Sequence, residues 1–158
     1  MRPPAAIPVV IDPGQAFGTG AHATTRLRLE LLQVIEPGSL LDVGCGSGVL
    51  AIAGAKLGFG PVTAVDVDPA AVAATEENAA RNGVSVLARL ADGLAELLPA
   101  TDVVIANING EAVPWLPLRS ATAITSGYLA GDDVSLPGYR RGEHREQDGW
   151  AAHLWLRN

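Results

Sequence analysis

The sequence has 158 residues and a formal net charge of −6, with 48% hydrophobic and 18% charged residues. This length predicts a single domain, and the acidic balance argues against binding nucleic acid through a broad basic face. The single cysteine excludes an internal disulfide, and the lack of a membrane-length apolar run or a signal-peptide core predicts a cytoplasmic protein without a membrane partner.

The predicted elements follow one another at short intervals. A Pro- and Gly-rich stretch over residues 1–23 is typical of an extended arm and a loop. Apolar spacing predicts a first helix over residues 24–35, with Thr24 or Thr25 as its N-cap. The end of the chain is typical of a β-hairpin that turns at Asp148-Gly149. Between them, strand patterns lie at 39–43, 62–67, 84–90, 102–107 and 122–126, and helix patterns at 48–57 and 70–82.

This order of elements predicts one architecture for residues 24–158. Strands alternating with helices and ending in a hairpin indicate an α/β, doubly wound, mostly parallel sheet with a C-terminal antiparallel hairpin. The connections after the fourth and fifth strands are short, and Pro114, Pro117 and Pro137 disfavour helix there. We therefore expect shortened late helices and part of one sheet face left bare. Trp115 is interpreted either as core or as part of an apolar partner or dimer surface.

The stretch LDVGCGSG, residues 41–48, contains the glycines Gly44, Gly46 and Gly48 just after the first predicted strand. In parallel sheets, ligands bind beyond the carboxyl ends of the strands. Glycines let the backbone pass close to a ligand there, and the following helix offers unpaired N–H groups. Asp66 ends the second strand, where a carboxylate can accept hydrogen bonds from both ribose hydroxyls of an adenosine.

Two cofactors share this local pattern. GSGVLA fits the dinucleotide pattern G-x-G-x-x-G/A, and Asp66 lies at a suitable distance along the chain for a nicotinamide cofactor such as NAD. S-adenosylmethionine is favoured by Asp42, which can help hold the amino-acid end of the cofactor, and by the acid–x–acid–Pro form of DVDP. Asp92, after the third strand, would lie near the adenine edge. S-adenosylmethionine is therefore preferred, with NAD binding or a purely structural tight turn as alternatives.

Longer stretches carry a more specific resemblance. DPGQAFGTGAHATTR, LLDVGCGSGVLAIAGAKLG, AVDVDPAAVAATEENAARNGV, DVVIANI and TSGYLAG together resemble the catalytic domain of the PrmA-type methyltransferases. This resemblance implies methylation of ribosomal protein L11 with S-adenosylmethionine, leaving S-adenosylhomocysteine as product. It implies cofactor contacts at Thr25, Gly44, Asp66 and Asn107.

The resemblance also implies a function for the loop before the first helix. Phe17, Gly18 and Thr19 are expected to form a lid that lines the methyl-transfer chamber, because a glycine-hinged loop can open for exchange and close to exclude water. A purely structural lead-in is the alternative. His22, in the same loop, is interpreted as a histidine bonded to backbone rather than as a proton relay.

Two departures from the family pattern shape a second hypothesis. Met1 stands almost at the catalytic domain, whereas the resemblance implies a separate N-terminal domain that grips the ribosomal protein. The chain is therefore alternatively a cofactor-binding module without independent activity, which needs a partner chain for its substrate. NING replaces the family's Asn-Ile-Leu-Ala, which makes Asn109 a new polar group at the reaction end.

Methyl transfer to an amine mainly requires positioning and a neutral nucleophile. A free lysine has a pKa of about 10.4, so a desolvated chamber must favour its uncharged form. Asn107 is expected to orient the amine of a protein or small-molecule acceptor, with Asn109 as a second orienting group. Cys45 is interpreted as a small residue under the cofactor. The histidines and Cys45 lack metal-ligand spacing, so no metal site is predicted.

Overall fold

The structure is a computed structural model that describes residues 7–12, 22–93, 95–96, 98–116 and 118–158. Its helices are Ala23–Leu32 (α1), Val49–Lys56 (α2) and Pro69–Arg81 (α3), with a 3-10 turn at Val113–Trp115. Its strands are Leu40–Val43 (β1), Val62–Asp66 (β2), Leu87–Leu90 (β3), Val103–Asn107 (β4), Thr122–Leu129 (β5), Tyr139–Gln147 (β6) and Trp150–Arg157 (β7). No helix within these described ranges is long and apolar enough to cross a membrane.

The seven strands of the described residues form one sheet in the order β3-β2-β1-β4-β5-β7-β6. Strands β1 to β5 pair in parallel, whereas β7 lies antiparallel between β5 and β6. The strand order reverses at β1, so the crevice beside its carboxyl end is where a sheet of this topology binds ligands. The predicted doubly wound α/β sheet with a C-terminal antiparallel hairpin is confirmed.

Capping groups explain where two of the helices begin. His22 caps α1, because its Nδ1 accepts a hydrogen bond from the Thr24 N–H at 3.1 Å. The prediction of Thr24 or Thr25 as the cap is wrong, since both residues lie buried inside the helix. Asp68 caps α3 by accepting from the N–H two residues on, and Pro69 occupies the first helical position, where its missing N–H leaves no bond unmade.

The two faces of the sheet are covered differently. On one face, α1 and α2 pack over alternate strand residues such as Leu40 and Ile105. On the other face, segments without α-helix cover Val104, and Val113 and Val134 pack into that core. The shortened late helices are confirmed in the described part of the chain. The expectation that part of one sheet face is bare is wrong at β4, because irregular chain excludes water there.

Large apolar side chains are exposed on edge strand β3 and in the 3-10 turn. Edge strand β3 leaves Leu87 65% and Leu90 58% exposed. Trp115 is 76% exposed, so its interpretation as core is wrong.

The C-terminal hairpin brings the start of β7 to the carboxyl edge of the sheet. Asp148 (φ 53°) and Gly149 (φ 81°) make the predicted turn in left-handed conformations. Helix α1 packs against β5, β6 and β7, and the Trp150 ring lies 5.3 Å from the His22 ring, edge to face. The hairpin thus completes one wall at the end of the sheet where ligands are expected.

Candidate functional site

A cleft of about 420 Å³ opens where β1, β2 and β4 end. Seven of the predicted site residues line it: Thr25, Asp42, Gly44, Gly46, Asp66, Asn107 and Asn109. His22, Arg28, Gly127 and Trp150 also line it, and no ligand-binding role was predicted for the last three. Separate elements of the sequence therefore converge on one site, as the strand order requires.

The glycine loop forms the floor of this cleft. Gly44 has a left-handed φ of 75°, and a Cβ placed on it would meet no atom within 4 Å, so the loop leaves open space beside its backbone. The Gly44 and Cys45 N–H groups donate to the Val65 carbonyl at 2.8 and 3.0 Å, which fixes the turn on β2. A ligand can therefore approach the backbone directly at this position.

Gly48 has a different reason for being glycine. Its φ is 89°, and a Cβ there would lie 2.9 Å from Thr75 Cγ2 on α3. Gly48 is not among the described residues that line the cleft. The missing Cβ lets α2 and α3 pack together, and the predicted contact of Gly48 with a ligand stays a prediction.

Asp66 is held rigidly at the end of β2. One carboxylate oxygen accepts from the Gly46 N–H and the other from the Asp68 N–H, both at 3.0 Å. An ionised carboxylate has about four acceptor sites, so capacity remains for two further donors. The arrangement suits a vicinal diol, whose two hydroxyls can donate to the two oxygens of one fixed carboxylate.

Asp42 presents a buried acid to the same cleft. The residue is 1% exposed, and no described side chain donates a hydrogen bond to either carboxylate oxygen. Burial raises the pKa of Asp42 to about 6, the Arg28 charge partly opposes this, and the Asp66 charge adds to it. Buried polar atoms in folded proteins are nearly always paired, so these oxygens indicate a place where a donor belongs.

Arg28 is the buried residue that sequence reasoning missed. It follows Leu27 and lies one turn before Leu31, and both leucines are core residues, so helical spacing alone places it on the buried face of α1. The side chain donates to the Thr24 carbonyl at 3.3 Å and to Thr25 Oγ1 at 3.4 Å. Burial lowers the pKa of Arg28, while Asp42 raises it.

The two asparagines predicted to orient an acceptor differ in how they are held. Asn107 Oδ1 lies 3.5 Å from Ser126 Oγ, and a Cβ on Gly127 would come within 2.6 Å of that oxygen. Asn109 Oδ1 accepts a hydrogen bond from the Ala112 N–H at 2.9 Å and so caps a turn. The Asn107 oxygen is thus held only loosely, whereas the Asn109 oxygen already stabilises the backbone.

Cys45 and His22 have structural contacts that limit their chemistry. Thr75 Oγ1 donates to Cys45 Sγ at 3.3 Å, and burial raises the pKa of the thiol to about 12, so it is not a nucleophile near neutral pH. His22 is bonded to backbone, as expected. No group of three or more metal-ligating side chains occurs in the part of the chain that the structure describes.

Among the other predicted site residues, Asp92 does not line the cleft. Asp92 is exposed beyond the end of β3, where its backbone N–H donates to Glu96 Oε2 at 2.5 Å. The predicted lid residues Phe17, Gly18 and Thr19 lie outside the described residues.

Comparison with known proteins agrees with this arrangement. The sequence profile of the ribosomal protein L11 methyltransferase family (PrmA) matches residues 2–130. The chain belongs to this family. A family relative from Dechloromonas aromatica, named ribosomal protein L11 methyltransferase, is 49% identical over 141 residues, which cover 87% of this chain and 45% of the relative. The chain spans about half the length of the curated relatives it matches.

Solved structures are similar over most of this chain. The ribosomal protein L11 methylase from Lactobacillus delbrueckii subsp. bulgaricus superimposes with a TM-score of 0.79 at 30% identity, covering 94% of this chain and 84% of the other. An RNA methyltransferase from Salinibacter ruber, solved in complex with S-adenosyl-L-homocysteine, shares the fold with a TM-score of 0.64 at 22% identity. It covers 82% of this chain and 86% of the other. The sheet and cleft therefore belong to a fold that methyltransferases use.

Proposed function

We propose that this chain is the S-adenosylmethionine-binding, methyl-transferring domain of a PrmA-type enzyme and that its acceptor is an amine. One observation carries the proposal: Asp66 and Asp42 line the same cleft beside the glycine loop. Backbone N–H groups hold Asp66 in place, whereas the Asp42 oxygens have no side-chain partner. These two acids match two donor groups of the cofactor, the ribose diol and the α-ammonium group.

The cleft fits the cofactor by several independent features. Asp66 would accept from the ribose hydroxyls, and Asp42 would accept from the ammonium group through its unpartnered oxygens. Gly44 leaves open space between them, and Thr25 lines the same cleft beside the amino-acid end. When bound, S-adenosylmethionine supplies a methyl group that its sulfonium already activates towards nucleophiles.

The same geometry disfavours a dinucleotide. In the nicotinamide alternative, a pyrophosphate would lie against the glycine loop. Asp42, buried beside that loop, would face the phosphate charges at close range in a site of low dielectric constant. A carboxylate at this position attracts a cationic group and repels an anionic one, so S-adenosylmethionine fits better than NAD.

Positioning is the main contribution we expect from the reaction end of the cleft. Asn107 Oδ1, at the end of β4, would accept a hydrogen bond from a neutral amine and so direct its lone pair. Trp150 and His22, whose rings are in contact, line the same cleft and would help to exclude water, which favours the uncharged amine. No proton transfer by the protein is required if the amine arrives deprotonated.

Because the chain belongs to a family described as ribosomal protein L11 methyltransferases, we propose ribosomal protein L11 as the acceptor protein. The binding of that protein by this chain, alone or with a partner chain, is part of the proposal. The outcome that favours a cofactor-binding module instead is tight cofactor binding without turnover on any amine.

Calorimetric titration of the chain with S-adenosylmethionine, S-adenosylhomocysteine and NAD tests the proposal. The first two should bind and NAD should not. Asp66→Ala should weaken binding at least about tenfold, about 1.4 kcal/mol, because it removes the acceptor of both ribose hydroxyls.

Asp102→Ala is the matched control for this titration. The Asp102 carboxylate also accepts two hydrogen bonds, from the Ser39 N–H and Oγ at 2.8 and 3.0 Å, but it lies at the opposite, amino end of the strands. It should leave cofactor affinity unchanged. Equal affinities of the wild type and Asp66→Ala, or tight binding of NAD alone, would refute the proposed cofactor site.

A further inference from the structure

Arg28 is a buried cation that faces the cofactor cleft. Its side chain is 5% exposed and lines the cleft from α1. An arginine has five N–H donors, and two of them reach described partners, the Thr24 carbonyl and Thr25 Oγ1, at 3.3 and 3.4 Å. Both contacts are long and both acceptors are uncharged, and the other three N–H donors have no acceptor among the described residues.

The natural counter-charge of Arg28 is close, but it is not bonded to it. Asp42 and Arg28 influence each other's pKa, yet neither Asp42 oxygen accepts a hydrogen bond from Arg28 or from another described side chain. Removing two charges from water is expensive, and direct contact normally offsets part of that expense. Here a positive and a negative group line one cleft with a gap between them.

We propose that Arg28 binds the carboxylate of an α-amino acid group whose ammonium is bound by Asp42, so that the gap is filled by a zwitterion. The inference rests on the proposed function, in which that zwitterion is the methionine end of the cofactor. A planar guanidinium matches a carboxylate with two parallel hydrogen bonds, which a lysine cannot reproduce. With such a ligand bound, both buried charges are paired.

The alternative is a purely structural pair of charges that stabilises the fold between α1 and the end of β1 without binding a ligand. The two explanations differ in their dependence on the ligand. A structural pair affects every adenosine ligand equally, whereas a carboxylate-binding arginine affects only ligands that carry the carboxylate.

Calorimetric titration of the full chain at pH 8.5 with two ligands separates these cases. The ligands are S-adenosylhomocysteine and its decarboxylated analogue, which keeps the nucleoside, the thioether and the ammonium. The wild type should bind S-adenosylhomocysteine at least about tenfold more tightly than the analogue. Arg28→Met should remove this preference by weakening S-adenosylhomocysteine binding about tenfold or more, with less than about threefold change for the analogue.

Arg26→Met and Arg28→Lys complete the experiment. Arg26, on the same helix, is 43% exposed at its side chain and bonds to Gln147 outside the cleft, so its replacement should change neither affinity. Arg28→Lys keeps the charge without the planar fork and should restore part of the preference.

Two results would overturn the inference while leaving the proposed function intact. One is equal weakening of both ligands by Arg28→Met, which would make Arg28 structural. The other is equal affinity of the wild type for the two ligands, which decides the question even if Arg28→Met fails to fold. Failure of the wild type to bind either ligand would overturn the proposed function together with the inference.

Discussion

Behind β5 and β7, a buried polar cluster lies on the sheet face without helices, and each of its groups has a partner. The Trp155 Nε1–H donates to Thr125 Oγ1 at 2.8 Å, Thr125 Oγ1 lies 2.7 Å from the Tyr128 hydroxyl, and that hydroxyl lies 2.8 Å from His153 Nδ1. Burial, with the Arg141 and His144 charges, lowers the pKa of His153 to about 4, so its ring is neutral near pH 7 and can accept. This cluster is complete within the described chain.

On the opposite face, at the end of β1, Asp42 and Arg28 are as deeply buried but are not bonded to each other. Strand β1 is as fully buried as β5 and β7, so poor packing does not explain the difference. None of the residues in the complete cluster lines the cleft at the end of β1, whereas Asp42 and Arg28 do. Of the described residues with buried unpartnered oxygens, Asp42 lies at the cleft, whereas Ser120, with a neutral hydroxyl, lies just before β5. A buried carboxylate without a side-chain partner therefore marks the functional end of this molecule better than buried polar groups in general do.

The largest expected effect on the free energy of unfolding comes from replacing the buried Asp42 with a neutral residue. Burial raises the pKa of Asp42 from 3.8 to about 6, so the folded state favours the protonated form. Stability from this group is fully present below pH 3.8 and is lost as the pH rises through about 6. Relative to the wild type, Asp42→Asn should gain about 2.5 kcal/mol in free energy of unfolding between pH 4 and pH 8. Urea unfolding at both pH values measures this gain, and a difference that does not change with pH would contradict it.

Gly127 lies between the Asp42 and Arg28 side chains and the polar cluster that contains Tyr128, since it lines the cleft and precedes Tyr128. Its φ is 110°, and a Cβ would lie 2.5 Å from the Ile108 carbonyl oxygen. Gly127→Ala should destabilise the fold by about 2 kcal/mol and should also lower methyl-transfer activity by displacing Asn107. Gly131→Ala is the control, because a Cβ there meets no atom within 4 Å. Equal stability of the two variants in urea unfolding would refute this account of Gly127.

Disrupting the polar cluster around Tyr128 should have a smaller effect, which is confined to the free energy of unfolding. Tyr128→Phe removes the hydroxyl that joins Thr125 to His153 and should destabilise the fold by about 1–2 kcal/mol. S-adenosylhomocysteine affinity should not change. Tyr139→Phe, which removes a single bond to the Ser120 carbonyl, is the matched control and should destabilise less. A loss of ligand affinity in Tyr128→Phe would show that the two clusters are coupled.

The sequence predicts much of the fold because strand and helix patterns are local. Apolar runs, the Asp148-Gly149 turn and the proline at the start of α3 each act within a few residues, and the corresponding elements are present. The boundary errors arise from tertiary contacts. His22 rather than a threonine caps α1, and β3 is shorter than its apolar pattern at 84–90 because it is an exposed edge.

The site is predictable only where backbone geometry dictates it. The positions of Gly44 and Asp66 follow from the ends of β1 and β2, so a motif places them in the cleft. Helical spacing places Arg28 on the buried face of α1, but its position in the cleft depends on how α1 packs against β5, β6 and β7. Gly48 matches the glycine motif, but its missing Cβ serves the contact with Thr75, a contact that spacing along the chain does not reveal.

The pH dependence of S-adenosylhomocysteine affinity, measured by calorimetry between pH 5 and pH 8, tests most directly whether the unpaired Asp42 is a ligand-binding group. With a pKa of about 6, Asp42 should lose its charge across this range. Affinity should fall below pH 6, binding should release a proton there, and Asp42→Asn should bind weakly without this dependence. The same pH profile in the wild type and in Asp42→Asn would contradict the account.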